Sequence, residues 1–149
     1  MNPSIFLGAN PPCAISYYGP PALALNQDGS VNSCTNPAPA GSALTLFVNG
    51  LGTTSNGGTG IVVTKPESVN AETALFAGFF SLEIDAFTSM PGALAGIGQM
   101  TARVPQTITS VQAVDLNLTV GGVLAGPLIG SNGENPVASE LPAVVFVKP

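Results

Sequence analysis

Apolar residues in this chain recur at every second position in short runs, and seldom at the i, i+3, i+4, i+7 spacing of a helix face. The clearest run is "SALTLFVNG" (42–50), where Leu44, Leu46 and Val48 face one way and Ala43, Thr45 and Phe47 the other. "IGQMTARV" (97–104) places Met100, Ala102 and Val104 inward and Gln99, Thr101 and Arg103 outward. "TSVQAVDLNLTV" (109–120) sets Gln112, Val114, Leu116, Leu118 and Val120 against Val111, Ala113, Asp115, Asn117 and Thr119. Further strands are expected at "SIFLG" (4–8), "CAISYY" (13–18), "ALALN" (22–26), "IVVTK" (61–65) and "AVVFV" (143–147), with one or two in "ALFAGFFSLEIDAF" (74–87).

Turn signals separate these runs. "QDGS" predicts a tight turn at Asp28-Gly29, because glycine takes a positive φ without a Cβ clash. "TNPAPAG" reads as an extended connection whose prolines cannot donate to a ladder. "GG" at 121–122 turns the chain, "LGTTSNGGTG" and "SNGENP" (131–136) are loops, and "PESVNAET" has room for one helical turn. About seven to nine short strands at this spacing predict an all-β fold, an antiparallel sandwich of immunoglobulin-like type. The 149 residues fit one domain spanning 1–149, with residues 1–20 as an N-terminal extension or a strand exchanged with another subunit. No internal repeat is visible.

Composition narrows the function classes. The chain is 45% hydrophobic and only 7% charged, so a core is affordable and solubility rests on uncharged polar groups. Lys65, Arg103 and Lys148 are its three bases against eight acids. Neutralising phosphates takes many more cations, which excludes nucleic acid and a polybasic membrane contact. The longest apolar candidate for a span, "LTVGGVLAGPLIG" (118–130), is too short to cross a bilayer. "MNPSIFLGANPP" lacks the basic start of a signal peptide, which leaves a cytosolic protein or a form whose leader is gone.

Cys13 and Cys34 admit three readings: a disulfide, two small buried apolar residues, or reactive thiols. The strand-turn-strand between them would bring their ends together, so a disulfide is expected. It would close a loop of about 20 residues, stabilise by about 3 kcal/mol and imply an oxidising compartment.

Catalytic arrangements fare poorly. There is no histidine and no nucleophile elbow. A serine–lysine pair with Lys65 or Lys148 lies in no recognisable motif. Glu83 and Asp85 share a strand face, as two hydrolytic carboxylates could, but a solvated strand face is the better explanation. Asn26, Asp28 and Ser30 faintly resemble part of a calcium loop without its closing glutamate, and Asn132, Glu134 and Asn135 sit in a loop. "NLT" at Asn117 matches a glycosylation sequon inside an expected strand, and "SNGGTG" lacks the ending of a phosphate-binding loop. No enzyme, metal or cofactor is expected.

"ALNQDGSVNS" followed by "NPAPAGSALTLFVNGLG" resembles an uncharacterised C-terminal domain of secreted proteins from Solibacter-like acidobacteria. The similarity continues through "NPSIF", "GIGQMTARVP" and "LNLTVGGVLAGP". It implies an immunoglobulin- or IPT-like sandwich, export, and no catalytic residues. Family members carry a similar β-rich half before "NPSIF", which implies a chain trimmed or processed from a longer one. They have small residues or proline where this chain has its cysteines, so the disulfide would be a local stabiliser. The resulting expectation is a non-catalytic extracellular or cell-surface module that spaces or anchors a larger protein through protein partners. A self-assembling filament or sheath subunit using strand exchange is the alternative, and a carbohydrate-binding module the third, disfavoured by two Tyr and no Trp.

Overall fold

The structure is a computed structural model and describes residues 3–9, 12–51, 61–69, 71–127 and 142–149. They form a β-sandwich, and no helix occurs among them. The first sheet runs β11 (Gly126–Pro127), β1 (Ser4–Ile5), β4 (Ala43–Asn49), β8 (Gly98–Arg103), β7 (Ile84–Ser89), with β2 (Ala24–Asn26) also beside β4. The second runs β3 (Ala38–Pro39), β12 (Ala143–Lys148), β9 (Gln112–Val120), β5 (Thr73–Ala77), β6 (Phe80–Ser81), with β10 (Val123–Leu124) beside β9.

Alternation decides which residues meet between the sheets. Leu44, Leu46, Val48, Met100 and Ala102 from the first sheet are buried against the layer of Leu75, Leu116, Leu118, Val120 and Val145 from the second. All of them except Leu75 and Val145 belong to the faces that the three strongest sequence runs set apart. Gly98 has no room for a side chain. A Cβ there would stand 2.5 Å from Leu51 Cδ1 and 2.8 Å from the Thr88 carbonyl oxygen. Gly98→Ala should therefore cost about 2 kcal/mol through overpacking, read as a lower urea midpoint at unchanged slope. An unchanged midpoint would mean that Leu51 moves aside freely.

The architecture departs from expectation in five places. The described residues hold twelve strands, because 74–87 yields β5, β6 and β7, and the short strands β3, β10 and β11 form where connections and turns were expected. The pairing is mixed, since β1 runs parallel to β11 and β3 parallel to β12. "PESVNAET" forms no helical turn over its described residues. Its start lies extended along β7, with the Ser89 N–H donating to the Glu67 carbonyl at 2.8 Å and the Val69 N–H to the Phe87 carbonyl at 3.0 Å. Covering a sheet edge satisfies more backbone groups than one isolated turn would. "CAISYY" (13–18) is no strand but a strap across the outside of β12, and "IVVTK" retains a single bridge, Val62 to Leu94. "SNGENP" and most of "LGTTSNGGTG" lie outside the described residues.

One side of the sandwich is sewn shut. Pro20–Leu23 bonds to both sheets: the Gly8 N–H donates to Pro21 O and the Leu23 N–H to Phe6 O, while the Ala22 N–H donates to Val144 O and the Val144 N–H to Pro20 O, at 2.7–2.9 Å. Prolines suit this seam, because their missing N–H would interrupt a central ladder.

Candidate functional site

The expected turn at Asp28-Gly29 is present, with Gly29 at φ 82°. Asp28 Oδ1 accepts the Ser30 N–H at 2.9 Å and the Ser30 hydroxyl at 2.5 Å. Those two bonds, the hydroxyl's first, hold the Asp28 carboxyl below its ordinary value of 3.8. The lowered value makes this turn's contribution to stability present above the ordinary carboxylate pKa and lost as the pH falls through the lowered one.

Behind the turn lies a knot of three asparagines. Asn32 Nδ2 donates to Phe146 O at 2.8 Å, and Asn32 Oδ1 accepts the Phe146 N–H at 2.8 Å. One side-chain amide thus takes the place of a neighbouring strand along the edge of β12. Asn32 Nδ2 also donates to Asn26 Oδ1 at 2.9 Å, and Asn26 Nδ2 donates to Asn36 O at 3.0 Å. Asn36 Nδ2 donates to the Ser30 hydroxyl at 2.8 Å and to Val31 O at 3.1 Å. Pro20–Ala22, Asn32 and Ala40, whose N–H donates to Lys148 O at 2.8 Å, together satisfy this edge of β12.

Beside the knot is a cleft of about 390 Å³ lined by Gln27, Asp28, Asn36, Pro37, Ser42 and Lys148 among others. Most of its polar atoms already have partners. Gln27 Oε1 accepts the Ala43 N–H at 3.1 Å, and the Ser42 hydroxyl donates to Pro39 O at 2.6 Å. Asn26 Oδ1 is engaged by Asn32, Asp28 Oδ1 by Ser30, and the Ser30 hydroxyl by Asp28 and Asn36, so these three oxygens already have hydrogen-bond partners. Lys148 shares the cleft with Ser42, but the hydroxyl points to a carbonyl, where it is not poised as a nucleophile.

The strap carries the two cysteines. Cys13 and Cys34 are joined in a disulfide, with Cα atoms 5.8 Å apart. Such a bond belongs to an oxidising, non-cytoplasmic environment. Beneath the strap the Tyr17 ring meets Phe146 edge-on, with centroids 5.2 Å apart, and Val144 and Phe146 are buried although both point away from the sandwich core. Tyr18 is exposed, so the two tyrosines do not form one flat platform for a sugar.

The paired carboxylates are separated by function. Asp85 Oδ2 receives Arg103 Nε at 2.9 Å, and Glu83 contributes its backbone carbonyl to the Arg103 N–H. Asn117, within the sequon, is half-buried on the outer face of β9 opposite Phe76. Asn132, Glu134 and Asn135 lie outside the described residues.

No family model, curated protein or solved structure matches the chain.

Sequence reasoning passed over the most conspicuous surface feature. The β5–β6 hairpin turns at Gly78-Phe79 and presents Phe79 fully exposed, flanked by Phe80 at 44% and Phe76 at 40% exposure. The signal available was "LFAGFF", three aromatics around a glycine, which reads equally as a core strand. Among the described residues, no helix is long and apolar enough to cross a membrane.

Proposed function

We propose that this chain is a non-catalytic structural and interaction module of an extracellular or cell-surface protein, engaging a protein partner through the Phe76–Phe79–Phe80 hairpin. The observation that carries the reading is Phe79 itself. A phenylalanine held in water on an anchored two-residue turn adds nothing to the core, and exposed aromatic side chains serve as anchors at contact surfaces. The disulfide and the resemblance to exported acidobacterial domains support a place outside the cytoplasm. The hydrogen-bonded side chains of the cleft and the Asp85–Arg103 pair support a structural role in preference to a catalytic one.

This reading is tested by placing a photoreactive aromatic amino acid at position 79 and, as a control, at the exposed Leu124. Irradiation in the secreted fraction of the source cells should give one discrete adduct from position 79 only. Phe79→Ser should abolish it while leaving the melting temperature within about 2 °C, the range of a surface change. Equal labelling from both positions, or none from position 79, would sink the reading.

A further inference from the structure

We propose that Asn49 is a site of spontaneous modification, where the main-chain nitrogen of Gly50 closes on the Asn49 side-chain amide, expels ammonia and leaves an aspartyl or isoaspartyl residue. Closure makes a small ring from the Gly50 nitrogen and the Asn49 main-chain carbon, Cα, Cβ and Cγ. It requires the nitrogen to stand against the side-chain carbonyl, free of crowding and within reach of water. The end of β4 meets each condition. The Gly50 N–H donates to Asn49 Oδ1 at 2.6 Å, so the nitrogen already sits beside the carbon it would attack. Gly50 has no Cβ to obstruct the approach and holds φ at 77°, where other residues are strained. Asn49 is half-buried on the outer face of β4, opposite the face that buries Leu44, Leu46 and Val48, so solvent reaches its amide. The turn at Asp28-Gly29 has a similar sequence and the opposite arrangement. Its Gly29 N–H donates to Asn26 O at 2.9 Å, and Asp28 Oδ1 is occupied by the Ser30 N–H and hydroxyl. The fold thus protects one of these two pairs and prepares the other.

Hydroxide removes the Gly50 N–H proton, and the nitrogen's electron pair forms the bond to Asn49 Cγ. The Cγ–Nδ2 bond breaks, and Nδ2 leaves as ammonia with a proton taken from water. Water then opens the cyclic imide at either carbonyl. Opening at Cγ gives aspartate with the chain unchanged, and opening at the main-chain carbon gives isoaspartate, whose chain runs through Cβ and Cγ. Either product adds one negative charge. The isoaspartyl product also inserts a carbon into the main chain between Val48 and Leu51, both buried. It turns the carbonyl at the register position of Ser4 into a free carboxylate, and it displaces Leu51, whose Cδ1 already closes the space over Gly98. Ageing at this one position therefore loosens the end of β4 from β1 and from the core beneath it.

The test ages the folded chain beside two synthetic peptides, "LFVNGLG" (46–52) and "LNQDGSV" (25–31), in mildly alkaline water enriched in ¹⁸O. Samples taken at early times are digested and weighed, and fragmentation separates aspartyl from isoaspartyl products. Each passage through the cyclic imide leaves one heavy oxygen, so the label counts closures at both positions. Asn49 in the folded chain should convert about tenfold faster than in its peptide, because the attacking nitrogen is already in place. Asp28 should take up label more slowly in the folded chain than in its peptide. Urea at a concentration that unfolds the chain should bring both positions to the rates of their peptides. Conversion of Asn49 in the folded chain at or below the rate of its peptide would overturn the proposal. So would an equal acceleration at Asp28, since the local arrangement at Gly50 would then not be the cause.

Discussion

Replacing Asn32 with leucine is expected to lower stability by about 3–5 kcal/mol, because it orphans two buried backbone groups at once. Leucine matches the volume but offers neither the donor that meets Phe146 O nor the acceptor that meets the Phe146 N–H. Phe146 is fully buried, so water cannot substitute without opening the strap, and Asn26 Oδ1 loses its donor as well. For a domain of this size such a loss corresponds to roughly 10 °C in melting temperature. Asn32→Asp should fall about as far at neutral pH, since a carboxylate would face two carbonyl-type oxygens, those of Phe146 and Asn26, with lone pairs. It should recover part of the loss as the pH drops into the carboxylate range, where the protonated acid again donates. Urea titration of the three proteins reads these differences. A loss below about 1 kcal/mol for leucine would mean that the edge of β12 finds another partner, and the side-chain ladder would not be what holds it.

That ladder also marks where sequence reading stops. Burial on one face imposes a period of two, so the inward positions 44, 46 and 48, then 100, 102 and 104, then 116, 118 and 120, are all legible from their neighbours alone. "AVVFV" is legible as a strand, but its unbroken burial has two causes on opposite faces: Ala143, Val145 and Val147 meet the core, while Val144 and Phe146 meet the strap. The strap misleads for a related reason. Cys13, Ile15 and Tyr17 are partly buried while Ala14, Ser16 and Tyr18 are exposed, so "CAISYY" does alternate as an extended chain. Alternation reports a surface on one side and says nothing of a hydrogen-bonded neighbour in the plane. Asn32 was the harder case, because asparagine between turn residues reads as another turn. The exposed Phe79 was hidden by its company, since aromatics in a strand-forming run are usually core.

Removing the disulfide in a Cys13→Ser, Cys34→Ser double variant is expected to cost about 3 kcal/mol, the entropic value for a closed loop of this length. The cysteines stand 21 residues apart, and the segment between them includes the seam, the hairpin and Asn32. Two mechanisms for the loss can be separated. If the bond acts by restricting the unfolded chain, global stability falls while the native strap stays seated, because Tyr17 on Phe146 and the Pro20–Ala22 seam remain. If the bond holds down a strap that would otherwise lift, amide exchange at Ala22 and Val144, which bond across the seam, should quicken ahead of Leu46 and Met100 in the core strands. The seam's direct bonds to both sheets favour the first outcome: a uniform fall, with Ala22 and Val144 still protected. Wild-type protein treated with a dithiol should melt where the double variant does, roughly 10 °C below the oxidised form, and the variant should ignore the dithiol. A double variant that melts with the oxidised wild type would show that the asparagine knot and the seam alone position the strap, and that the loop is already restricted before the bond closes.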